Sequence, residues 1–202
     1  MKKAAKILKQ KTIFKTEISN NFSAEDTETI WHDAHVRLQK MYASHADLSA
    51  GIKKHTDGFI FPAAAIYLAI KEKDGEKAFA IMQKVMKEKA LQAGKGFSRF
   101  VKMPFGKQLF LKIWDTISHK MFGESAGFRN VFYTKQKGEF RMDILQCPYN
   151  TYLNEVGCPE LTRLFCESDV YSYGNLPGMD FVRTQTIGSG GSLCDFKLMI
   201  NK

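Results

Sequence analysis

Hydrophobic positions recur with a helical period through the first two-thirds of the chain. Ser23 with Asp26 three residues later forms a helix-start signature, and apolar positions follow it at spacings of three and four to residue 45. The same spacing predicts helices over 59–73, over 79–90 and over 106–121. Pro62 can begin the helix over 59–73, and glycines 94 and 96 are expected to end the helix over 79–90. Residues 1–16 allow a short amphipathic helix or a partly ordered arm, and 51–58 is predicted to be a polar connection.

After Gly123 the hydrophobic period changes to two, which is typical of strands. Alternating segments occur at 139–146, 179–187 and 192–200, with a shorter β-rich piece at 131–133. A turn of glycines and serine at 188–191 predicts that the last two long segments form an antiparallel hairpin. In a symmetric hairpin Thr184 faces Asp195 and Gln185 faces Cys194, so that Arg183 and Cys194 share one face. The prediction is an α+β fold in which a helical layer, 1–122, packs on a small antiparallel sheet within 123–202.

Another helix is predicted between these strands, beginning near Pro159. Proline is favoured at the first position of a helix, and Glu160 would lie in the first turn, where the helix dipole favours a carboxylate. On this helix Cys166 and Asp169 are three residues apart and therefore lie on one face. The neighbouring carboxylate is expected to raise the pKa of the Cys166 thiol and to slow its alkylation.

Composition limits the class of protein. With 202 residues, 44% of them hydrophobic, the chain can bury a large core in one domain. Its basic start lacks a long apolar stretch, and the longest apolar run, 59–70, is too short for a membrane span, so we expect a cytoplasmic protein with no membrane partner. Four irregularly spaced cysteines are then expected to be reduced thiols.

Charge does not favour a nucleic-acid partner. The net charge is +9, but the chain from residue 147 onward holds four basic and six acidic residues. Only six of the thirty basic residues are arginine, and the lysines are scattered along predicted helix faces. No nucleic-acid-binding motif is present, so the positive charge is interpreted as a solvated lysine surface.

Residue types that do chemistry are concentrated between residues 147 and 196, where all four cysteines lie. In order, the motifs are Cys147-Pro148-Tyr149, Pro159-Glu160-Leu161, Phe165-Cys166 with Asp169, Arg183-Thr184, and Gly190-Gly191-Ser192-Leu193-Cys194-Asp195-Phe196. This order of spaced motifs resembles the L-2-amino-thiazoline-4-carboxylic acid hydrolase family. An early Cys and a terminal Gly-x-x-Cys-x-Phe give a weaker likeness to small-molecule-binding domains of the 4-vinyl-reductase type.

The resemblance to the hydrolases implies cleavage of a carbon–nitrogen bond in a small cyclic amidine or isothiourea that carries a carboxylate. Carboxylates would hold the amidinium or activate water, a thiolate could attack its carbon, and a cation would bind the substrate carboxylate. The implied catalytic residues are Cys166, Asp169, Glu160 and Asp195. The implied substrate-binding residues are Arg183, Thr184 and Tyr149. No cofactor or metal is implied.

Other interpretations of the same residues remain open at this point. Cysteines are often core residues, Glu160 can cap its own helix, and Arg183 can form a surface bridge to Asp180 or Asp195. The protein could instead be a non-catalytic binder of the vinyl-reductase type, or Cys147, Cys166, Cys194 and Asp169 could bind zinc. Histidines 32 and 35 have a spacing that suits a metal, but a structural role is favoured. The expected partner is a small molecule, and the chain permits a homo-oligomer.

Overall fold

The computed structural model describes residues 2–201. Its helices and strands, in chain order, are α1 (Lys2–Leu8), α2 (Thr12–Ser19), α3 (Ala24–Ser44), α4 (Ala50–His55), α5 (Phe61–Lys73), α6 (Gly75–Val101), α7 (Gly106–Met121), β1 (Arg129–Phe132), β2 (Glu139–Gln146), α8 (Pro148–Glu155), α9 (Leu161–Tyr173), β3 (Met179–Val182) and β4 (Cys194–Ile200). Helices precede a small sheet, which confirms the predicted α+β class.

The sheet is antiparallel throughout, with strand order β1-β2-β4-β3. Val182 pairs with Lys197, and the same register continued past the end of β3 places Thr184 opposite Asp195, as the symmetric hairpin predicted. The backbone pairing ends at Val182, and the connection from 183 to 193 widens into a loop with a short 3₁₀ turn at Ile187–Ser189. Gly188 of this loop packs closely against Thr162 and Cys166 of α9.

Two helix predictions are confirmed closely. Ser23 caps α3, and its hydroxyl accepts the backbone N–H of Asp26 over 3.1 Å. Pro62 lies in the first turn of α5, and Asp74 ends that helix and caps α6. The starts of α3 and α6 follow from local chemistry, because a side-chain oxygen of Ser23 or Asp74 accepts N–H groups that have no partner within the helix.

Two local predictions are wrong, and one helix was missed. Helix α6 continues through Gly94 and Gly96 to Val101, because its apolar face packs against α9 and tertiary contacts outweigh the poor helix propensity of glycine. The stretch 51–58 is helical rather than a polar connection, since α4 leads through a π-helical turn at Thr56–Ile60 directly into α5. Helix α8 was not predicted, although Pro148 stands at its first position.

The buried residues form two neighbouring cores. One lies among α1, α2, α3, α5, α6, α8 and α9, and the other lies between the sheet and α7, with contributions from α6 and α9. Tyr149 packs against both. Helix α9 belongs to the C-terminal portion of the sequence but packs along α6, so it connects the helical layer to the region of the sheet. None of the helices described within residues 2–201 combines the length and the hydropathy that a membrane span requires.

Candidate functional site

A cavity of about 210 Å³, here called the main cavity, lies between the sheet, α7, α8 and α9. Its apolar wall consists of Trp114, Phe122, Phe128, Met142, Ile144, Phe165 and Phe196. Its polar wall consists of Cys147, Tyr149, Cys166, Ser168, Asp169, Arg183 and Cys194. An apolar enclosure with a few convergent polar groups is typical of a small-molecule site. Four of the seven site residues implied by the sequence, Tyr149, Cys166, Asp169 and Arg183, border it.

Arg183 leaves the end of β3 and extends into the wall of the main cavity. Its Nη2 donates to Oδ2 of Asp169 over 2.6 Å, and its Nη1 donates to the backbone oxygen of Cys166 over 2.8 Å. The side chain is only 7% exposed, and its guanidinium lies over the rings of Phe181 and Phe196. The surface bridge to Asp180 or Asp195 considered from the sequence is therefore wrong. Arg183 is held as a buried cation, paired with one carboxylate on α9.

Asp169 retains access to the cavity despite this ion pair. About 39% of its side chain is accessible, and the group lies deep in the protein, so we interpret this surface as facing the main cavity. Burial raises the pKa of the Asp169 carboxyl, and the charge of Arg183 only partly opposes that effect. A carboxyl group with a raised pKa is better matched to proton transfer near neutral pH than an exposed one.

Cys166 lies one turn before Asp169 on the same face of α9. A hydrogen bond donated by the Cys194 thiol is the largest of the effects that lower the pKa of Cys166, to about 7; Thr186 and the charge of Arg183 add to it. Burial and Asp169 act in the opposite direction but are outweighed. Asp169 raises the pKa of this thiol, as expected from the sequence, but the net shift is downward, so slow alkylation is no longer expected. The groups that reverse the shift come from the segment 183–194 and are remote in sequence from Cys166.

Cys194 supports Cys166 from the start of β4. Its Sγ accepts the backbone N–H of Ile187 over 3.2 Å, while its own proton is directed to Cys166, which raises the pKa of Cys194 strongly. Gly188 permits this approach, since a Cβ atom there would lie 2.9 Å from Sγ of Cys166 and 3.0 Å from the backbone of Thr162. The hairpin loop is thus pressed against α9 at the thiol.

Tyr149 is held by a histidine that sequence analysis placed in a polar connection. Nδ1 of His55 lies 3.1 Å from the Tyr149 hydroxyl, and Nε2 lies 2.8 Å from the backbone oxygen of Met121. Because a carbonyl only accepts, Nε2 carries the proton and Nδ1 accepts from Tyr149. Burial lowers the pKa of His55, which is 3% exposed, and keeps it neutral. Its place in a run of glycine, lysine and aspartate gave no sign of burial.

Three residues implied by the resemblance lie outside the main cavity. Glu160 accepts hydrogen bonds from Tyr67 and Lys71. Burial raises the pKa of the Glu160 carboxyl, but these hydrogen bonds outweigh burial, so its pKa is below the ordinary value. Asp195 accepts the backbone N–H groups of Thr184 and Gln185 and the Thr184 hydroxyl. Asp195 and Thr184 therefore close the hairpin where backbone pairing has ended, and Glu160 ties α9 to α5.

The other two cysteines have different surroundings. Cys147 precedes α8 and borders the main cavity, where burial raises its pKa to about 11. Cys158 is fully buried among the helices, away from the cavity. Within residues 2–201, no three His, Cys, Asp or Glu side chains converge closely enough to hold a metal ion. The zinc site considered from the sequence therefore lacks its ligand geometry here.

Comparison with known proteins places the chain in a family. No curated protein matches it. A solved chain from the study "Probing the function of heme distortion in the H-NOX family" aligns over 81% of this chain and 89% of its own, with 14% identity and a TM-score of 0.27, too low to support any argument. The family model described as L-2-amino-thiazoline-4-carboxylic acid hydrolase matches residues 54–198, well beyond the C-terminal motifs. The chain therefore belongs to the L-2-amino-thiazoline-4-carboxylic acid hydrolase family.

Proposed function

We propose that this protein hydrolyses a carbon–nitrogen bond of a small cyclic amidine or isothiourea that carries a carboxylate, such as 2-amino-thiazoline-4-carboxylate. The family is named for a hydrolase of that ring. The observation that carries the proposal is the position of Cys166, a thiol whose pKa is lowered to about 7, at a cavity bordered by the Arg183–Asp169 pair.

The charges of the cavity suit a substrate with two opposite charges. Arg183 and Asp169 neutralise each other, so an ion with one net charge would be desolvated there without full compensation. A ring with an amidinium and a carboxylate can place the former beside Asp169 and the latter beside Arg183. Arginine has five N–H donors in a planar fork. Three of them donate to the Asp169 carboxylate, to the backbone oxygen of Cys166 and to the more distant backbone oxygen of Asp195, which leaves two donors for the ligand.

The proposed reaction begins with attack of the Cys166 thiolate on the amidine carbon, forming a carbon–sulfur bond and a tetrahedral adduct. The bond from that carbon to a nitrogen then breaks, and the nitrogen leaves with a proton that Asp169, ionised in its pair with Arg183, takes up from the Cys166 thiol as the thiolate forms. Water adds to the same carbon, gives a proton back to Asp169, and the carbon–sulfur bond to Cys166 breaks. One water is consumed and no electrons are transferred overall.

In this proposal Tyr149 shapes the cavity wall and does not transfer a proton. Burial raises the pKa of its hydroxyl strongly, and that hydroxyl donates to His55. Its ring packs 4.7 Å from that of Phe165, the residue preceding Cys166. We assign Tyr149 to shaping the wall beside the thiol. Glu160, Thr184 and Asp195 are assigned to holding α9 and the hairpin loop.

The test is incubation of the purified protein with a panel of cyclic amidines and isothioureas, with and without a carboxylate, followed by mass detection of a gain of water or a loss of ammonia. We expect turnover of carboxylated rings, and its loss in Cys166→Ala. Cys158→Ala is the matched control, because that thiol is buried away from the cavity and its removal should leave turnover intact.

The possible outcomes separate the alternatives. Turnover that persists in Cys166→Ala would indicate direct attack by water activated by Asp169. Tight binding of a panel member with no product under any condition would favour the non-catalytic binder suggested by the vinyl-reductase likeness. Neither binding nor turnover for any ring of the panel would contradict the proposed substrate class.

A further inference from the structure

A second cavity, of about 260 Å³, lies among α2, α5, α6 and α9. We call it the lysine-flanked cavity. Its apolar lining consists of Phe14, Phe59, Ala63, Ile66, Met86 and Ala90, and two lysines, Lys11 and Lys89, also border it. Phe165 and Ser168 of α9 contribute to both this cavity and the main cavity. The two cavities are thus neighbours along α9, and the proposed function uses only the main one.

Lys11 and Lys89 are the charged members of this lining. Nζ of Lys11 donates to the backbone oxygen of Gly58 over 2.8 Å and lies 5.4 Å from the centre of the Phe59 ring. Among residues 2–201, no carboxylate lies within 4.0 Å of either ammonium group. Burial and the charge of Lys89 together lower the pKa of Lys11.

Nearby lysines provide a contrast. Lys84, on the same helix as Lys89, pairs with Glu17 at 2.7 Å, and Lys15, on the same helix as Phe14, pairs with Glu28 at 2.8 Å. Lys84 and Lys15 therefore have carboxylate partners that Lys11 and Lys89 lack. Two cations that border an apolar space without a carboxylate repel each other, and a bound anion would relieve that repulsion.

We propose that the lysine-flanked cavity binds a small carboxylate with an apolar body, with the carboxylate between Lys11 and Lys89 and the apolar part among the side chains from α2, α5 and α6. The apolar lining by itself would accept neutral molecules equally well. The two lysines select an anion, since a charge-assisted hydrogen bond is about twice as strong as a neutral one. The ligand differs from the proposed substrate, which carries both charges and reacts in the main cavity.

The test is isothermal titration of the full chain with octanoate, a carboxylate with a flexible apolar tail, and with octylammonium as the probe of opposite charge. We expect octanoate to bind and octylammonium not to bind. Lys11→Gln and Lys89→Gln should each weaken octanoate binding about tenfold, because each removes one charge-assisted contact. Ala90→Leu, which fills the cavity without changing charge, should weaken it as well.

Lys87→Gln is the matched control. Lys87 lies on α6 close to Lys89, but its ammonium lies over the ring of Tyr171 and it does not line the cavity. The variant removes the same net charge and should leave octanoate binding unchanged. The proposal is overturned if octanoate fails to bind the wild-type protein, if it binds the Lys11→Gln, Lys89→Gln double variant as tightly as the wild type, or if octylammonium binds equally well. None of these readouts depends on turnover in the main cavity.

Discussion

Asp169 Oδ2 lies 2.6 Å from Nη2 of Arg183, and this ion pair joins helix α9 to the end of strand β3 in the wall of the main cavity. The guanidinium also binds the backbone oxygen of Cys166. One buried cation therefore fixes a carboxylate and the segment that carries the reactive thiol. Changing either member of the pair should affect both folding and the chemistry of the site.

Replacing Asp169 with asparagine should destabilise the protein by roughly 1–3 kcal/mol. Breaking a fully buried pair costs about 3–5 kcal/mol, but the Asp169 carboxylate is partly accessible, which reduces the penalty of leaving Arg183 unpaired. Urea denaturation measures the effect. The control is Glu167→Gln, which removes the i,i+4 partner of the exposed Arg163 on the same helix and should cost less than about 0.5 kcal/mol. Equal losses in the two variants would contradict the buried-pair interpretation.

Alkylation of Cys166 should reach half its maximal rate near pH 7, since the thiolate is the reactive form and its pKa is lowered to about 7. The rate therefore rises as the pH increases through 7, whereas an ordinary thiol responds near pH 8.5. Iodoacetamide labelling, followed residue by residue with mass spectrometry, measures this midpoint.

The same assay tests the role of Cys194. Cys194→Ala removes the donor of the hydrogen bond to Cys166 and should shift the midpoint to higher pH. Cys194→Ser keeps a donor at that position and should shift it less. An unmoved midpoint in Cys194→Ala would show that this hydrogen bond does not control the thiol.

Arg183→Lys should mainly raise KM for a carboxylated substrate, by about one to two powers of ten, because the planar fork of donors is lost. Such a contact exists in the ground and transition states alike, and its loss is worth roughly 1.5–3 kcal/mol. Steady-state kinetics on the best ring of the substrate panel gives the result, with the exposed Arg163→Lys as control. An unaltered KM would remove Arg183 from substrate binding.

Two glycines of α6 should respond to alanine in opposite directions. A Cβ at Gly94 would lie 2.9 Å from the backbone oxygen of Tyr171, so Gly94→Ala should push α9 away and destabilise the protein by about 1–3 kcal/mol. Nothing lies within 4 Å of a Cβ at Gly96, and Gly96→Ala should stabilise the helix by roughly 0.5–1 kcal/mol. Thermal denaturation distinguishes them, and a stabilised Gly94→Ala would contradict the close approach of α6 and α9.

Stability should depend on pH through His55. Its pKa is lowered in the folded protein, so below about pH 6.5 the unfolded chain binds a proton that the folded protein does not. The free energy of unfolding should therefore fall as the pH decreases below about 6.5, with a His55 contribution of at most about 1.4 kcal/mol per pH unit. Urea denaturation at pH 7 and 5.5 should show a smaller decrease in His55→Gln than in the wild type. His32→Gln, at an exposed position of α3, should behave as the wild type.

Local sequence determined much of the framework. The alternation after residue 123 and the glycine-rich turn predicted β2 and the register of β3 on β4, because side-chain period and turn length together fix which residues oppose each other. Helical spacing likewise placed Cys166 and Asp169 on one face of α9. Those relationships extend over a few residues of one segment or one hairpin, so local chemistry is sufficient to set them.

Only the tertiary structure decided which of these groups act on each other. Glu160 could not be distinguished from a cavity carboxylate until α5 brought Tyr67 and Lys71 to it, and His55 became buried because α4 packs beneath α8 and the loop after α7. The partners of Cys166 that reverse its pKa shift come from the hairpin, which packs against α9 at this thiol. Sequence fixes residue types and local geometry, whereas burial and charge interactions depend on distances between segments that are set only when the helices pack on the sheet.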